Sequence, residues 1–114
     1  FSKTNSMIEM TAPETKQYIS DNQGVILIDV RESWECNTAF IKGSIHIPIS
    51  EIQNKMHDYN EEQTIIFVCH HGVRSRMVGV YFEQNGYTNI INLRGGIDSW
   101  AKTVDNEMAT YWVL

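Results

Sequence analysis

The sequence predicts an α/β domain of three layers, α/β/α, around a mainly parallel central sheet. Three observations carry this. Residues 25–30 (Val-Ile-Leu-Ile-Asp-Val) and 64–68 (Thr-Ile-Ile-Phe-Val) are short, nearly continuous apolar runs. Such runs suit strands covered on both faces, as in parallel sheets. Stretches with helical spacing separate the strands, which gives β–α–β order, and right-handed crossovers then place helices on both faces. The chain of 114 residues fits a single domain. We expect a core over residues 8–104 and a tail over 105–114.

Taken in order, residues 8–10 read as a short first strand. Thr11 and Glu14 have capping-box spacing and Pro13 falls in the first turn, so a helix is expected from Thr11 to about Ser20. Residues 21–24 (Asp-Asn-Gln-Gly) form a turn before the strand at 25–30. A short helix begins within 31–35, and a short strand at 44–47 is stopped by Pro48. Ser50 and Gln53 repeat the capping-box spacing, with Ile52 and Met56 on one helical face. The strand at 64–68 delivers Cys69, and a loop follows to Arg74. A helix is expected from Ser75, with Met77, Val78, Tyr81 and Phe82 on its buried side and Gly86 ending it. A strand at 89–93, a turn at Arg94-Gly95-Gly96 and a helix from Ile97 to about Val104 complete the pattern.

Composition narrows the function. Nine Lys and Arg against fourteen Asp and Glu give a net charge of −5, with no basic run. Nucleic acid is therefore not an expected partner. The longest apolar runs fall far below the ~20 residues of a membrane span, so no membrane association is expected. Two cysteines and no visible signal or transit segment point to a cytoplasmic protein. The chain opens at Phe1, as a piece or processed product of a longer protein would.

In open α/β sheets, ligands bind beyond the carboxyl ends of the strands. Cys69 stands there, followed by His70-His71-Gly72-Val73-Arg74-Ser75. If this segment curls around the sulfur, its backbone N–H groups form an anion-binding nest. A helix N-terminus and Arg74 add positive charge, and all three favour thiolate, the nucleophilic form. Gly72 supplies a dihedral that other residues resist. A buried, inert core cysteine is the competing interpretation of the same position.

The loop Cys69–Arg74, with four residues between cysteine and arginine, resembles the active-site loop of rhodanese (sulfurtransferase) domains. Ile28-Asp29-Val30-Arg31-Glu32 resembles that family's Asp-Val-Arg-Glu signature, and Gly43-Ser44-Ile45-His46-Ile47-Pro48 its Gly-Ala-x-x-Ile-Pro strand. Leu93-Arg94-Gly95-Gly96-Ile97 with Trp100 resembles its C-terminal Gly-Gly-helix motif. Phe40-Ile41-Lys42-Gly43 departs from the family's His-Ile-Pro-Gly, away from the loop.

The resemblance implies sulfane-sulfur transfer through a persulfide on Cys69, without metal or organic cofactor. A donor such as thiosulfate would load the cysteine, and cyanide or a thiol, including a protein thiol, would unload it. The loop residues His70, His71, Gly72, Val73, Arg74 and Ser75 would bind the substrate. Arg74 would orient the anionic donor or hold the loop by pairing with a carboxylate. Arg31 is a further donor-binding candidate, and Asp29 its structural support; a structural pair between the two is the competing role. His70 and His71 invite a zinc reading, but adjacent side chains in a tight loop seldom converge on one ion, so no metal is expected. Cys36 lacks any such setting and is expected to be a plain core or surface residue. Trp34, Trp100 and Trp112 are expected to pack. Two other functions remain in view. One is a non-catalytic rhodanese module for partner binding or sensing. The other is a phosphatase of the dual-specificity type, whose loop has one more residue.

Overall fold

The structure, a computed structural model, describes residues 7–113. The apolar runs become five strands: β1 (Ile8–Met10), β2 (Ile26–Asp29), β3 (Ile45–His46), β4 (Ile65–Val68) and β5 (Ile90–Leu93). They form one sheet in the order β1-β5-β4-β2-β3, and every neighbouring pair is parallel. The connecting helices are α1 (Ala12–Asp21), α2 (Ser33–Thr38), α3 (Ile49–Lys55), α4 (Val73–Gln84) and α5 (Gly96–Thr103), with a 3₁₀ turn at Met56–Asp58.

Strand periodicity divides the core into two layers. Ile65 and Phe67 of β4 pack with Ile52 of α3 and with Val78 and Phe82 of α4. Ile66 and Val68 face the other way, toward Ala12 of α1 and Ile97 and Trp100 of α5. All four β4 side chains are buried, so the strand has no polar face to offer water. This is why residues 64–68 read as a continuous apolar run.

The Thr11–Glu14 capping box forms: the Glu14 N–H donates to Thr11 Oγ1 at 3.3 Å, and the Thr11 N–H to Glu14 Oε1 at 2.9 Å. The expected box at Ser50 and Gln53 does not. Pro48 is the N-cap instead, extended at φ −61° and ψ 155°, and its carbonyl accepts from the Glu51 N–H at 2.8 Å. Ser50 is already inside the helix, where its backbone cannot take the extended N-cap conformation. Helix α4 also begins two residues before the expected Ser75, so Arg74 and Ser75 belong to its first turn. Of the three tryptophans, Trp100 is buried and Trp34, though half exposed, packs edge-on against Tyr111 at 5.6 Å between centroids, whereas Trp112 is exposed, against the expectation that all three pack. The tail is part of the body: Met108 and Tyr111 pack against the α1/α5 layer of the core.

The start of α5 lies under the loop after β4. The Ile97 N–H donates to the Cys69 carbonyl at 2.8 Å and the Asp98 N–H to the His70 carbonyl at 3.1 Å. Gly96 makes this approach sterically feasible. It has φ +63°, and a Cβ there would lie 2.3 Å from the His70 carbonyl oxygen and 2.5 Å from that of Cys69. Both obstacles are backbone, so neither can rotate away. Gly96→Ala should therefore destabilise the fold by roughly 2–4 kcal/mol, combining left-handed strain with the clash. Urea unfolding of both proteins measures this, and a change below about 0.5 kcal/mol contradicts the packing described.

Candidate active site

Strand β4 ends at Val68 and hands Cys69 to a three-residue passage, His70-His71-Gly72, before α4 starts. Gly72 caps α4 in the left-handed region at φ +97°. A side chain there would be strained and would press on the Gly95 nitrogen and Leu93 oxygen, at 3.1 and 3.2 Å. In this conformation the Gly72 N–H donates to Cys69 Sγ at 3.0 Å. The sulfur thus sits at the N-terminal end of a twelve-residue helix, where the helix dipole favours negative charge.

A buried polar hub holds this arrangement from β5. Asn92 Nδ2 donates to the Gly72 carbonyl at 3.0 Å and to Glu9 Oε1 at 2.8 Å. Its Oδ1 accepts from the Ser75 hydroxyl. That hydroxyl is also 3.3 Å from Cys69 Sγ. Ser75 has one proton for two acceptors, Asn92 Oδ1 and Cys69 Sγ.

A second polar layer flanks the loop. Arg74 makes a bidentate pair with Glu35, both contacts at 2.8 Å. Arg31 donates to both Asp29 oxygens, to the Ala39 carbonyl at 2.7 Å and to the Tyr111 hydroxyl at 2.5 Å. The Tyr111 hydroxyl in turn donates to Glu35 Oε1 at 3.0 Å, joining the two pairs. Burial raises the Glu35 carboxyl, but Arg74, the Glu32 N–H and Tyr111 outweigh it and hold its pKa at about 2. Burial pushes the Tyr111 hydroxyl up to about 12, so it remains a donor. Burial and then the neighbouring His71 lower His70 from its ordinary value.

Each expected site residue can now be placed. Cys69, Gly72 and Ser75 converge on the sulfur. Of the two roles considered for Arg74, the carboxylate pairing is the one formed. Arg31 is corrected: it is fully buried, with its donors turned to Asp29, Ala39 and Tyr111, and it presents nothing to a donor molecule. The pair with Asp29 is the structural role weighed against donor binding. Val73 is exposed at the start of α4, His71 is exposed and His70 is buried beside Tyr111. Burial and the Asp29 charge push the Cys36 thiol up to about 11, so it stays protonated at neutral pH. Sequence reasoning missed Glu35, Asn92 and Tyr111. Glu35 had a local signal, since it closes a capping box with Glu32. A larger cavity of about 480 Å³, bordered by Leu27, Trp100 and Met108, includes none of the loop residues.

The Glu35 carboxyl yields a pH dependence. Its pKa is depressed in the folded state, so its stabilisation is present above the unfolded value of about 4.5 and is lost as pH falls toward about 2. Unfolding free energy should drop by up to about 3 kcal/mol between pH 5 and pH 2 on account of this group. Glu35→Gln should be less stable at neutral pH and show a flatter acid limb. Equal slopes in urea titrations of both proteins across that range contradict the assignment.

Comparison with known proteins agrees with this geometry. Residues 11–103 match the family model described as Rhodanese-like domain. A sulfurtransferase of Allochromatium vinosum is 30% identical over 94 residues, covering 82% of this chain and 88% of that protein. The thiosulfate sulfurtransferase GlpE of Haemophilus influenzae is 31% identical over 80 residues, 70% of this chain and 76% of that one. YrkF of Bacillus subtilis is 31% identical over 96 residues, and this chain spans about half of it, 52%. The crystal structure of a rhodanese-like domain protein from Staphylococcus aureus superposes with a TM-score of 0.78 at 28% identity, covering 93% of this chain and all of that one. With its five parallel strands and its cysteine loop after β4, this chain belongs to the rhodanese-like domain family and is, at the level of that family, a rhodanese-type sulfurtransferase.

Proposed function

We propose that this protein transfers a sulfane sulfur from thiosulfate, or a donor like it, to a thiophilic acceptor through a persulfide on Cys69. The observation that carries the proposal is the Gly72 N–H aimed at Sγ from a loop with four residues between Cys69 and Arg74. The Cys69 thiolate attacks the outer sulfur of thiosulfate. A new S–S bond forms, and sulfite leaves with the electron pair of the broken bond. Cyanide or a thiolate then attacks the outer sulfur of the persulfide, and the Cys69 thiolate departs. The protein's own contribution is to hold negative charge on sulfur with N–H dipoles and the start of α4.

Arg74 is a positioning residue in this scheme, because both arms of its contact go to Glu35. Cys69 is 1% exposed, so a donor is expected to present its terminal sulfur first. The loop has one residue fewer between cysteine and arginine than the dual-specificity phosphatase loop, which favours a single sulfur over a phosphoryl group with its in-line leaving group. Both cysteines are free thiols, in keeping with a reducing, cytoplasmic setting. Among the described residues no helix is long and apolar enough to cross a membrane.

Three experiments test the proposal. Thiocyanate formation from thiosulfate and cyanide should fall by about a thousandfold in Cys69→Ser, as expected for loss of a covalent nucleophile. In Cys36→Ser it should stay within about twofold, and full activity of Cys69→Ser sinks the assignment. Thiosulfate alone should add one sulfur atom to the protein mass in a Cys69-dependent way, which a non-catalytic module does not do. Nitrophenyl phosphate should be left intact, and Cys69-dependent phosphate release without thiocyanate formation reverses the conclusion.

A further inference from the structure

Two histidines of the loop and one carboxylate of α5 form a donor cluster that has no step of its own in the sulfur-transfer scheme. His70, His71 and Asp98 each offer one ligand atom, and the three atoms lie within 4.8 Å of one another. Together with Lys102, Tyr111 and Trp112 they border a cavity of about 210 Å³. His70 is 3% exposed, and its Nδ1 is buried with no hydrogen-bond partner among the described residues. An imidazole nitrogen stripped of water and given nothing in return is unusual and calls for a physical reason. The ring cannot turn freely to find one. It is packed against Tyr111 at 4.3 Å and against His71 at 4.0 Å between centroids.

We propose that His70, His71 and Asp98 form a binding site for a borderline divalent cation, zinc foremost, at the edge of the active-site loop. Two imidazoles and one carboxylate are a donor set that zinc takes while keeping a fourth position open. Tetrahedral zinc with bonds of ~2.0–2.1 Å separates its ligand atoms by about 3.3 Å. His71 Nε2 is already 3.7 Å from Asp98 Oδ2. The remaining closure falls to the more exposed His71 and Asp98 side chains, which turn toward the held His70 ring. The backbone beneath is fixed, because the Asp98 N–H is bonded to the His70 carbonyl at 3.1 Å. Lys102 Nζ holds Asp98 Oδ2 at 2.9 Å and is the resident competitor. Its side chain is two-thirds exposed, at 66%, so it can leave for water as the cation takes its place.

This inference does not rest on Cys69 chemistry, and its test removes the thiols. The Cys36→Ser/Cys69→Ser protein is titrated with zinc chloride by calorimetry and with cobalt(II) by visible absorption. One equivalent of metal should bind, with cobalt bands free of thiolate charge transfer. His71→Ala and Asp98→Asn, made in the same background, should each weaken zinc binding at least tenfold. Lys102→Ala should strengthen it by removing the competitor. Circular dichroism melts confirm that each variant is folded. Binding that needs a cysteine, that ignores both ligand substitutions, or that is absent at stoichiometric concentrations overturns the proposal.

Discussion

The bidentate pair between Glu35 and Arg74 fixes the relation between α2 and α4, and the site depends on it. Glu35 is 1% exposed, and a buried carboxylate without its guanidinium is strongly destabilising. Because Arg74 is in the first turn of α4, anchoring it sets where that helix begins, and hence where the Gly72 N–H points. Tyr111 extends the constraint to the tail by bridging Glu35 to Arg31. The charged groups near the sulfur are therefore mostly spent on one another. The sulfur is left to the Gly72 N–H and the start of α4, backbone dipoles that are rigid and need no reorganisation when charge appears.

The opposite side of the loop is held by uncharged groups. Asn92 stands between Ile91 and Leu93 in β5 and is fully buried, yet each of its side-chain polar atoms has a partner. Its bond to the Gly72 carbonyl fixes the Gly72–Val73 peptide, next in the chain to the His71–Gly72 peptide whose N–H meets sulfur. The first turn of α5 then takes the Cys69 and His70 carbonyls. One face of the loop thus has its oxygens occupied, and the other is free to present N–H groups. Gly96 follows from this division, since the helix must start against the loop backbone with no Cβ between them, whereas a Cβ at Gly95 would press on the Ser99 side chain.

The net charge of −5 does not conflict with an anionic donor. Local geometry outweighs global charge at this range, because the groups that meet the sulfur are within 3.3 Å while distant carboxylates are screened by salt. The same locality separates the two cysteines. Cys36 lies near the Asp29 charge and is held protonated. Cys69 lies at a helix start with an N–H donor.

What the sequence by itself determined was whatever neighbours along the chain decide. The apolar runs specified buried parallel strands, the Thr11–Glu14 spacing specified a cap, and the Cys69–Ser75 segment specified a sulfur loop, because each depends on residues within a few positions. The Ser50–Gln53 spacing misled for a related reason: Pro48, two residues earlier, already fixes the extended N-cap. Only the tertiary structure decided the partners. Arg74 meets Glu35 across 39 residues, Tyr111 meets Arg31 across 80, and Ser75 meets Asn92 across 17. It also brought Asp98 to His71, where the sequence offered two histidines and no third ligand. Such pairings depend on sheet order and helix docking, which distribute over the whole core and leave no mark on any short stretch of sequence.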